Sequence, residues 1–284
     1  FRRHPEALAE TIRFAGELSF SLSELSHNYP EETSTPGIDP QVELEMLTWE
    51  GARNRYPNGF PSGLIEKIKG ELEIIAQKEY ARYFLTVRDV VRFAREEAGI
   101  LCQGRGSAAN SVICYCLGIT EVDPILMHGL FERFVSTERD EPPDIDVDFE
   151  HERRDEVIAY IYKKYSEKRT ALAASVVTYR GRSALREVAK AMGLSDDVQS
   201  ALSSSIWGWS SSEVGEKEAK AGGLVENDPV TKLVMERANE IMGFPRHLSQ
   251  HVGGFVITKD RLDEIVPIVK TAMDERKMVE WDKD

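Results

Sequence analysis

Pro143-Asp144-Ile145-Asp146-Val147-Asp148-Phe149 alternates acid and apolar residues, the period-2 pattern of a strand. Successive strand side chains point to opposite faces, so Asp144, Asp146 and Asp148 share one face and Ile145, Val147 and Phe149 turn to a core. Alternate Cα atoms lie ~7 Å apart, close enough for the Asp144 and Asp146 carboxylates to converge on one cation. Three like charges on one face repel, and no lysine alternates with them. Mg²⁺ relieves that repulsion, since it takes one or two carboxylates and completes its shell with water and phosphate oxygens. Two such ions ~4 Å apart serve an in-line phosphoryl displacement. An acidic edge strand facing water is the plainer reading of the same pattern. An EF-hand loop does not fit, because Phe149 stands where the glycine is needed.

Upstream, Ile100–Gln103 is predicted as a short buried strand that runs into Gly104-Arg105-Gly106-Ser107. A small-residue helix is predicted from about Ala108 to Leu117. A glycine turn between strand and helix aims backbone N–H groups and the positive helix end at an anion. Gly106 permits close approach, Ser107 adds a hydroxyl, and Arg105 can fork onto phosphate oxygens. The loop is neither a Walker A sequence nor G-x-G-x-x-G. A phosphate cradle followed by a carboxylate strand is the equipment of nucleotidyl transfer.

Around these motifs the chain reads as mixed α/β. Helices are predicted over 5–18, 41–55 and 62–98, the last broken around Tyr80–Phe84, with an extended linker over Asn28–Pro40. A helix over 153–165, a strand over 171–179 and a helix over 182–193 follow, then helical pieces to Met242. Strands return at 254–258, 265–270 and 278–281.

Composition sets limits. The 284 residues, 41% hydrophobic and 30% charged, suit a globular protein with an ample core. No apolar run approaches the ~20 residues that cross a bilayer, and Cys102, Cys114 and Cys116 form no C-x-x-C pair and read as reduced core thiols. A start at Phe1 and a stop at Asp284 give the expectation of a piece cut from a longer chain, with no secretory leader. The net charge is −13, yet Lys163–Lys190 carries eight basic residues against Glu167 and Glu187. That +6 segment reads as a phosphate-contacting stripe or as a solvated helix face. His247 and His251 stand at i, i+4 without the glutamate of a zinc motif, and Trp207 and Trp209 read as packing.

Cys102-Gln103-Gly104-Arg105-Gly106-Ser107-Ala108-Ala109-Asn110-Ser111, Leu130–Phe134, Glu138-Arg139, Pro142–Arg154 and Gly243–Thr258, in this order, resemble the bacterial DNA polymerase III alpha-subunit (C) family, in its error-prone branch. The resemblance implies an α/β fold: a mixed-sheet palm of the polymerase-beta-like nucleotidyltransferase type, interrupted by an all-helical thumb. Residues 1–35 become a lead-in and linker from an N-terminal domain, 36–175 the first part of the palm, 176–242 the thumb, and 243–284 the return of the palm towards the fingers.

The resemblance also implies template-directed, Mg²⁺-dependent nucleotide addition with two ions. Asp144 and Asp146 match two of three catalytic, metal-holding aspartates, the third expected beyond Asp284. Arg105, Gly106, Ser107, Arg133 and Arg139 match the triphosphate site, and Arg180, Arg182 and Arg186 become contacts to the DNA backbone. Implied partners are primer–template DNA and deoxynucleoside triphosphates in the cytoplasm, with a sliding clamp and accessory mutagenesis proteins reached through other regions, and no membrane. The piece alone is expected not to polymerise DNA. A two-metal phosphohydrolase or nuclease, and a non-catalytic DNA-binding module, are the competing readings.

Overall fold

A computed structural model describes residues 3–21, 24, 29–30, 36–127, 131, 134–135, 143–205, 228–271, 273 and 276–283; at 203, 205 and 252 the backbone alone is described. The chain is mixed α/β. It divides into two compact units, one of Phe1–Thr170 with Ile257–Leu262 and one of Ala171–Val256 with Asp263–Asp284.

The first unit is built on helices. α1 (Pro5–Glu17) starts on a proline and buries no residue. α2 (Pro40–Arg55) opens where Asp39 accepts from the N–H groups of Gln41 and Val42, at 2.9 and 3.2 Å. That cap satisfies amides that have no partner inside the helix. α3 (Leu64–Gln77) buries Leu64, Ile68, Leu72 and Ile75, one stripe at helical spacing, together with Glu71. α4 (Ala81–Arg92) follows after Glu79, whose φ of 56° is left-handed. The predicted break therefore falls at residues 78–80 instead of 80–84. A π-helical turn, Phe93–Glu97, extends α4. There Phe93 stacks on Tyr160 at 3.8 Å, and Arg95 reaches the Cys102 carbonyl at 2.9 Å.

β1 (Cys102–Arg105) and β2 (Asp146–Phe149) form an antiparallel ribbon. Between them, Gly106–Asn110 is a 3₁₀ turn and α5 (Val112–Cys116) a short helix. The small-residue helix expected over 108–117 is thus split at Ser111, which is extended (φ −95°, ψ 124°) and caps α5 through its hydroxyl. α6 (Arg154–Tyr165) closes the unit. Residues 257–262 rejoin it through Thr258 N–H to the Arg169 carbonyl (3.0 Å) and Leu262 N–H to the Lys168 carbonyl (2.8 Å). Leu44, Ile68, Ile75, Phe84, Val112, Ile113 and Ile119 are fully buried in its core.

The second unit holds a four-stranded mixed sheet in the order β4-β3-β6-β5. β3 (Thr170–Thr178) pairs parallel to β6 (Lys277–Asp282), and β5 (Ile268–Lys270) pairs antiparallel to β6. Between β3 and β4 the described elements are three helices, α7 (Gly181–Ala191), α8 (Asp196–Ser205) and α9 (Pro229–Ile241). Ala184, Leu185, Ala189, Leu202, Val234 and Ala238 make their common core. β4 (Pro245–Ile257) starts nine residues before the strand expected at 254, because its polar first half lacks apolar alternation.

Two glycines test the packing. A β-carbon on Gly51 in α2 would lie 1.9 Å from the Cys116 carbonyl oxygen, so α2 and α5 meet on bare backbone. Gly70, exposed inside α3, has nothing within 4 Å. Gly51→Ala is expected to destabilise by about 3 kcal/mol through overpacking. Gly70→Ala is expected to stabilise by about 0.5–1 kcal/mol through helix propensity and chain entropy. Denaturant midpoints of the two variants check both signs.

Candidate nucleotidyl-transfer site

The ribbon register decides the site. Arg105 stands directly opposite Asp146 and Gln103 opposite Asp148, so these four side chains share one face. On the other face Gly104 opposes Val147, and Ile145 and Val147 pack against the hydrophobic core. The alternation read from the sequence is therefore realised. Strand pairing, however, begins at Asp146, so Asp144 sits on the extended approach to β2, exposed to solvent.

The like charges are relieved from across the ribbon. The Arg105 guanidinium lies 3.3 Å from Asp146 Oδ2 and donates from Nε to Asp148 Oδ1 at 3.0 Å. The Asp148 hydrogen bond, then the charges of Asp146 and Asp148, raise its pKa further. The strand expected over 100–103 is thus shifted to 102–105, so Arg105 stands on β1 instead of in the loop, where it clamps carboxylates.

Gly106 takes φ +63°, a conformation L side chains adopt rarely, and a β-carbon there would face Asp146 Oδ2 at 3.7 Å. Ser107 Oγ donates to the Asp144 carbonyl at 2.7 Å, which ties the 3₁₀ turn to the aspartate segment. The Ile145 N–H donates to Tyr83 Oη at 3.3 Å. Burial is the chief reason the Tyr83 phenol titrates above its ordinary value, with the Asp144 charge adding to it. Nothing in the sequence pattern marks Tyr83, which contacts the site from α4, about 60 residues away.

The expected anion-binding helix end is already filled. Glu71, 2% exposed, reaches from α3 to accept from Val112 N–H (3.0 Å), Ile113 N–H (3.1 Å) and Ser111 Oγ (2.8 Å). Ser111 Oγ in turn accepts from Cys114 N–H at 3.1 Å. The first amides of α5 are satisfied by a protein carboxylate, leaving the Gly106–Ser107 turn as the part of the loop beside the aspartates. Burial pushes the Glu71 carboxyl up to about 7, against its three hydrogen bonds and the charge of Lys67. Further back, Glu121 joins Arg55 (2.5 Å) and Arg95 in one ion triad, which fixes the turn after α5.

In the second unit, α7 carries Arg182, Arg186 and Lys190 at i, i+4 and i+8, all exposed, opposite the buried Ala184, Leu185 and Ala189. Lys190 thus joins the residues singled out from the sequence, while exposed Arg180 is the N-cap residue of α7. Glu187 is taken up by Arg246 and by Tyr179 Oη at 2.8 Å, and the Arg246 hydrogen bond lowers its pKa. Lys164 pairs with Asp89 at 2.6 Å and Arg169 binds the Tyr165 and Lys259 carbonyls, so both serve the first unit's packing.

His247 and His251 lie on β4, where a four-residue separation spans ~13 Å, too far for one ion. Among the described residues no group of three or more His, Cys, Asp or Glu is arranged around a metal position. Cys114 and Cys116 are buried thiols, the latter pushed up to about 12 by burial. Arg133, Arg139, Trp207 and Trp209 lie outside the described residues.

Comparison with known proteins identifies the family of the chain. Residues 42–284 match the family model of the bacterial DNA polymerase III alpha NTPase domain. The chain belongs to the bacterial DNA polymerase III alpha family. It is 72% identical over its whole length to the error-prone DNA polymerase of Mesorhizobium japonicum. It is 60% identical to error-prone DNA polymerase 1 of Rhizobium meliloti and 59% to the error-prone DNA polymerase of Sinorhizobium medicae, again over all 284 residues. In each case it spans 25% of the relative's length.

The Glu71 cap gives this site a pH signature. A carboxyl raised from 4.5 to about 7 by folding binds more protons folded than unfolded between those values. Its contribution to stability is full below pH 4.5 and is lost as pH rises through 7, a change on the order of 3 kcal/mol. Glu71→Gln removes the titration, so wild type is expected to lose stability relative to the variant from pH 4.5 to 7, read from urea midpoints across that range.

Proposed function

We propose that this chain is the nucleotide-addition portion of an error-prone DNA polymerase that extends a primer 3′-hydroxyl on a DNA template. The observation that carries the reading is the β1–β2 ribbon, which sets Asp146 opposite Arg105 and beside Gly106, while Ser107 ties the Asp144 backbone to the same turn. In this reading 36–175 is the first part of the palm, of polymerase-beta-like type, 176–242 the thumb and 243–284 the palm's return, with 1–35 leading in from a preceding domain.

The donor set suits magnesium: hard carboxylate oxygens on an exposed face, with no β-carbon on Gly106 to crowd Asp146 Oδ2, whose partner here is Arg105. Asp144 and Asp146 would hold it. Bound there, two Mg²⁺ ions supply charge stabilisation at the phosphoryl oxygens and acidify the attacking hydroxyl. The protein's own part is positional. Gly106 lets the backbone come close to the triphosphate, Ser107 fixes the aspartate segment against that turn, and Arg105 transfers its donors from carboxylate to phosphate oxygens. Arg133 and Arg139 are proposed at the same triphosphate.

Arg180, Arg182 and Arg186, with Lys190, meet the DNA backbone and position it without reading sequence. Primer–template DNA and deoxynucleoside triphosphates are the proposed partners, in the cytoplasm; a sliding clamp and accessory mutagenesis proteins would be met elsewhere in the longer protein. No described helix is long and apolar enough to cross a membrane. The third aspartate is proposed to follow Asp284, so the piece alone would not extend primers.

Primer extension by the full-length protein tests the reading. Asp144→Asn or Asp146→Asn is expected to lower the rate by several orders of magnitude, and degradation in place of extension would make the site a nuclease. Reversing the charges of Arg182, Arg186 and Lys190 together is expected to weaken duplex binding whatever its sequence. The log–log salt slope should fall by up to ~0.9 per lost phosphate contact; an unchanged slope would make α7 a solvated face.

A further inference from the structure

The Asp144–Ile145 backbone precedes the paired part of β2, so the ladder does not fix the first aspartate. Two hydroxyls do so instead. Ser107 Oγ donates to the Asp144 carbonyl at 2.7 Å, and Tyr83 Oη accepts from the Ile145 N–H at 3.3 Å. They hold the two ends of one peptide unit, so that plane cannot rotate without breaking one of them, and the Asp144 Cα from which the carboxylate projects is set with it. Tyr83 is suited to the task. Its ring is wedged against Tyr29 (centroids 5.4 Å apart) and edge-on to Phe84 (6.2 Å), and α4 beneath it is anchored by Phe84, Leu85 and Val91 in the core. Carboxylates must be held to within about 0.5 Å of productive geometry for this kind of chemistry.

We propose that Tyr83 is a positioning residue for nucleotide addition, its hydroxyl aiming the Asp144 carboxylate by holding the Asp144–Ile145 peptide. This rests on the reading of Asp144 and Asp146 as the metal-holding pair. Tyr83→Phe keeps the ring and its contacts and removes only the acceptor. Tyr29→Phe is the control, because the Tyr29 hydroxyl is buried without a hydrogen-bond partner among the described residues.

The measurement is single-nucleotide addition by the full-length protein at varied Mg²⁺ and nucleotide, with melting temperature followed in parallel. Tyr83→Phe should lower kcat about tenfold and raise the half-saturating Mg²⁺ several-fold. Its nucleotide KM should stay within about twofold and its melting temperature within about 2 °C of wild type, and Tyr29→Phe should match wild type throughout. A Tyr83→Phe enzyme with wild-type kcat and Mg²⁺ dependence overturns the proposal. So does a loss of activity that follows the melting temperature while Mg²⁺ dependence is unmoved, since packing alone would do that. Asp146→Asn, assayed beside them, separates the two claims. Full activity there sinks the metal-site reading itself; an inactive Asp146→Asn with a normal Tyr83→Phe sinks only the role of Tyr83.

Discussion

Gly104 donates its N–H to the Ile119 carbonyl at 2.8 Å, and a β-carbon on it would lie 2.5 Å from that same oxygen. β1 is therefore pressed onto the turn after α5 with no side chain between them. Opposite Gly104 is Val147, whose side chain reaches the core. With that pair fixed, the register of the ribbon is fixed, because a slip by one residue would turn the aspartates inward and the apolar residues out. The placement of Arg105 opposite Asp146, and of the Gly106 turn beside its carboxylate, follows from this one close approach.

The electrostatics follow from the same register. A carboxylate face without a counter-charge would strain the ribbon, and Arg105 supplies one from the neighbouring strand. Such an exposed pair is weak, in keeping with the proposed exchange of carboxylate for phosphate partners. The rigid elements lie one step behind. Glu71 is buried and holds three donors at the start of α5, and the Arg55–Glu121–Arg95 triad fixes its far end. The exposed charges sit on a frame tied by the hydrogen-bonded Glu71 carboxylate and by this ion triad.

Much of this was legible in the residues. The alternation over 144–149 gave the strand and its two faces, and the order of Gly104–Ser107 before that strand gave the neighbours of the site. What sequence did not show depends on contacts between distant positions. Ser111 splits a predicted helix because Glu71, forty residues earlier, meets it there. Tyr83 looks like one more core aromatic until its hydroxyl is seen on Ile145. The polar first half of β4 carries no periodic signal, and so the i, i+4 spacing of His247 and His251 does not by itself reveal a strand. The +6 segment is a sum over two units, in which Lys164 and Arg169 serve packing and only the α7 residues form an exposed row.

The central claim is that the ribbon carboxylates receive divalent cations and that Arg105 holds their place. The most direct measurement is the anomalous signal of Mn²⁺ in crystals of the full-length protein with primer–template and an incoming nucleotide. The account expects manganese peaks within coordination distance of Asp144 and Asp146, with Arg105 moved from Asp146 onto phosphate oxygens. Manganese bound elsewhere, with the Arg105–Asp146 pair intact, would contradict it.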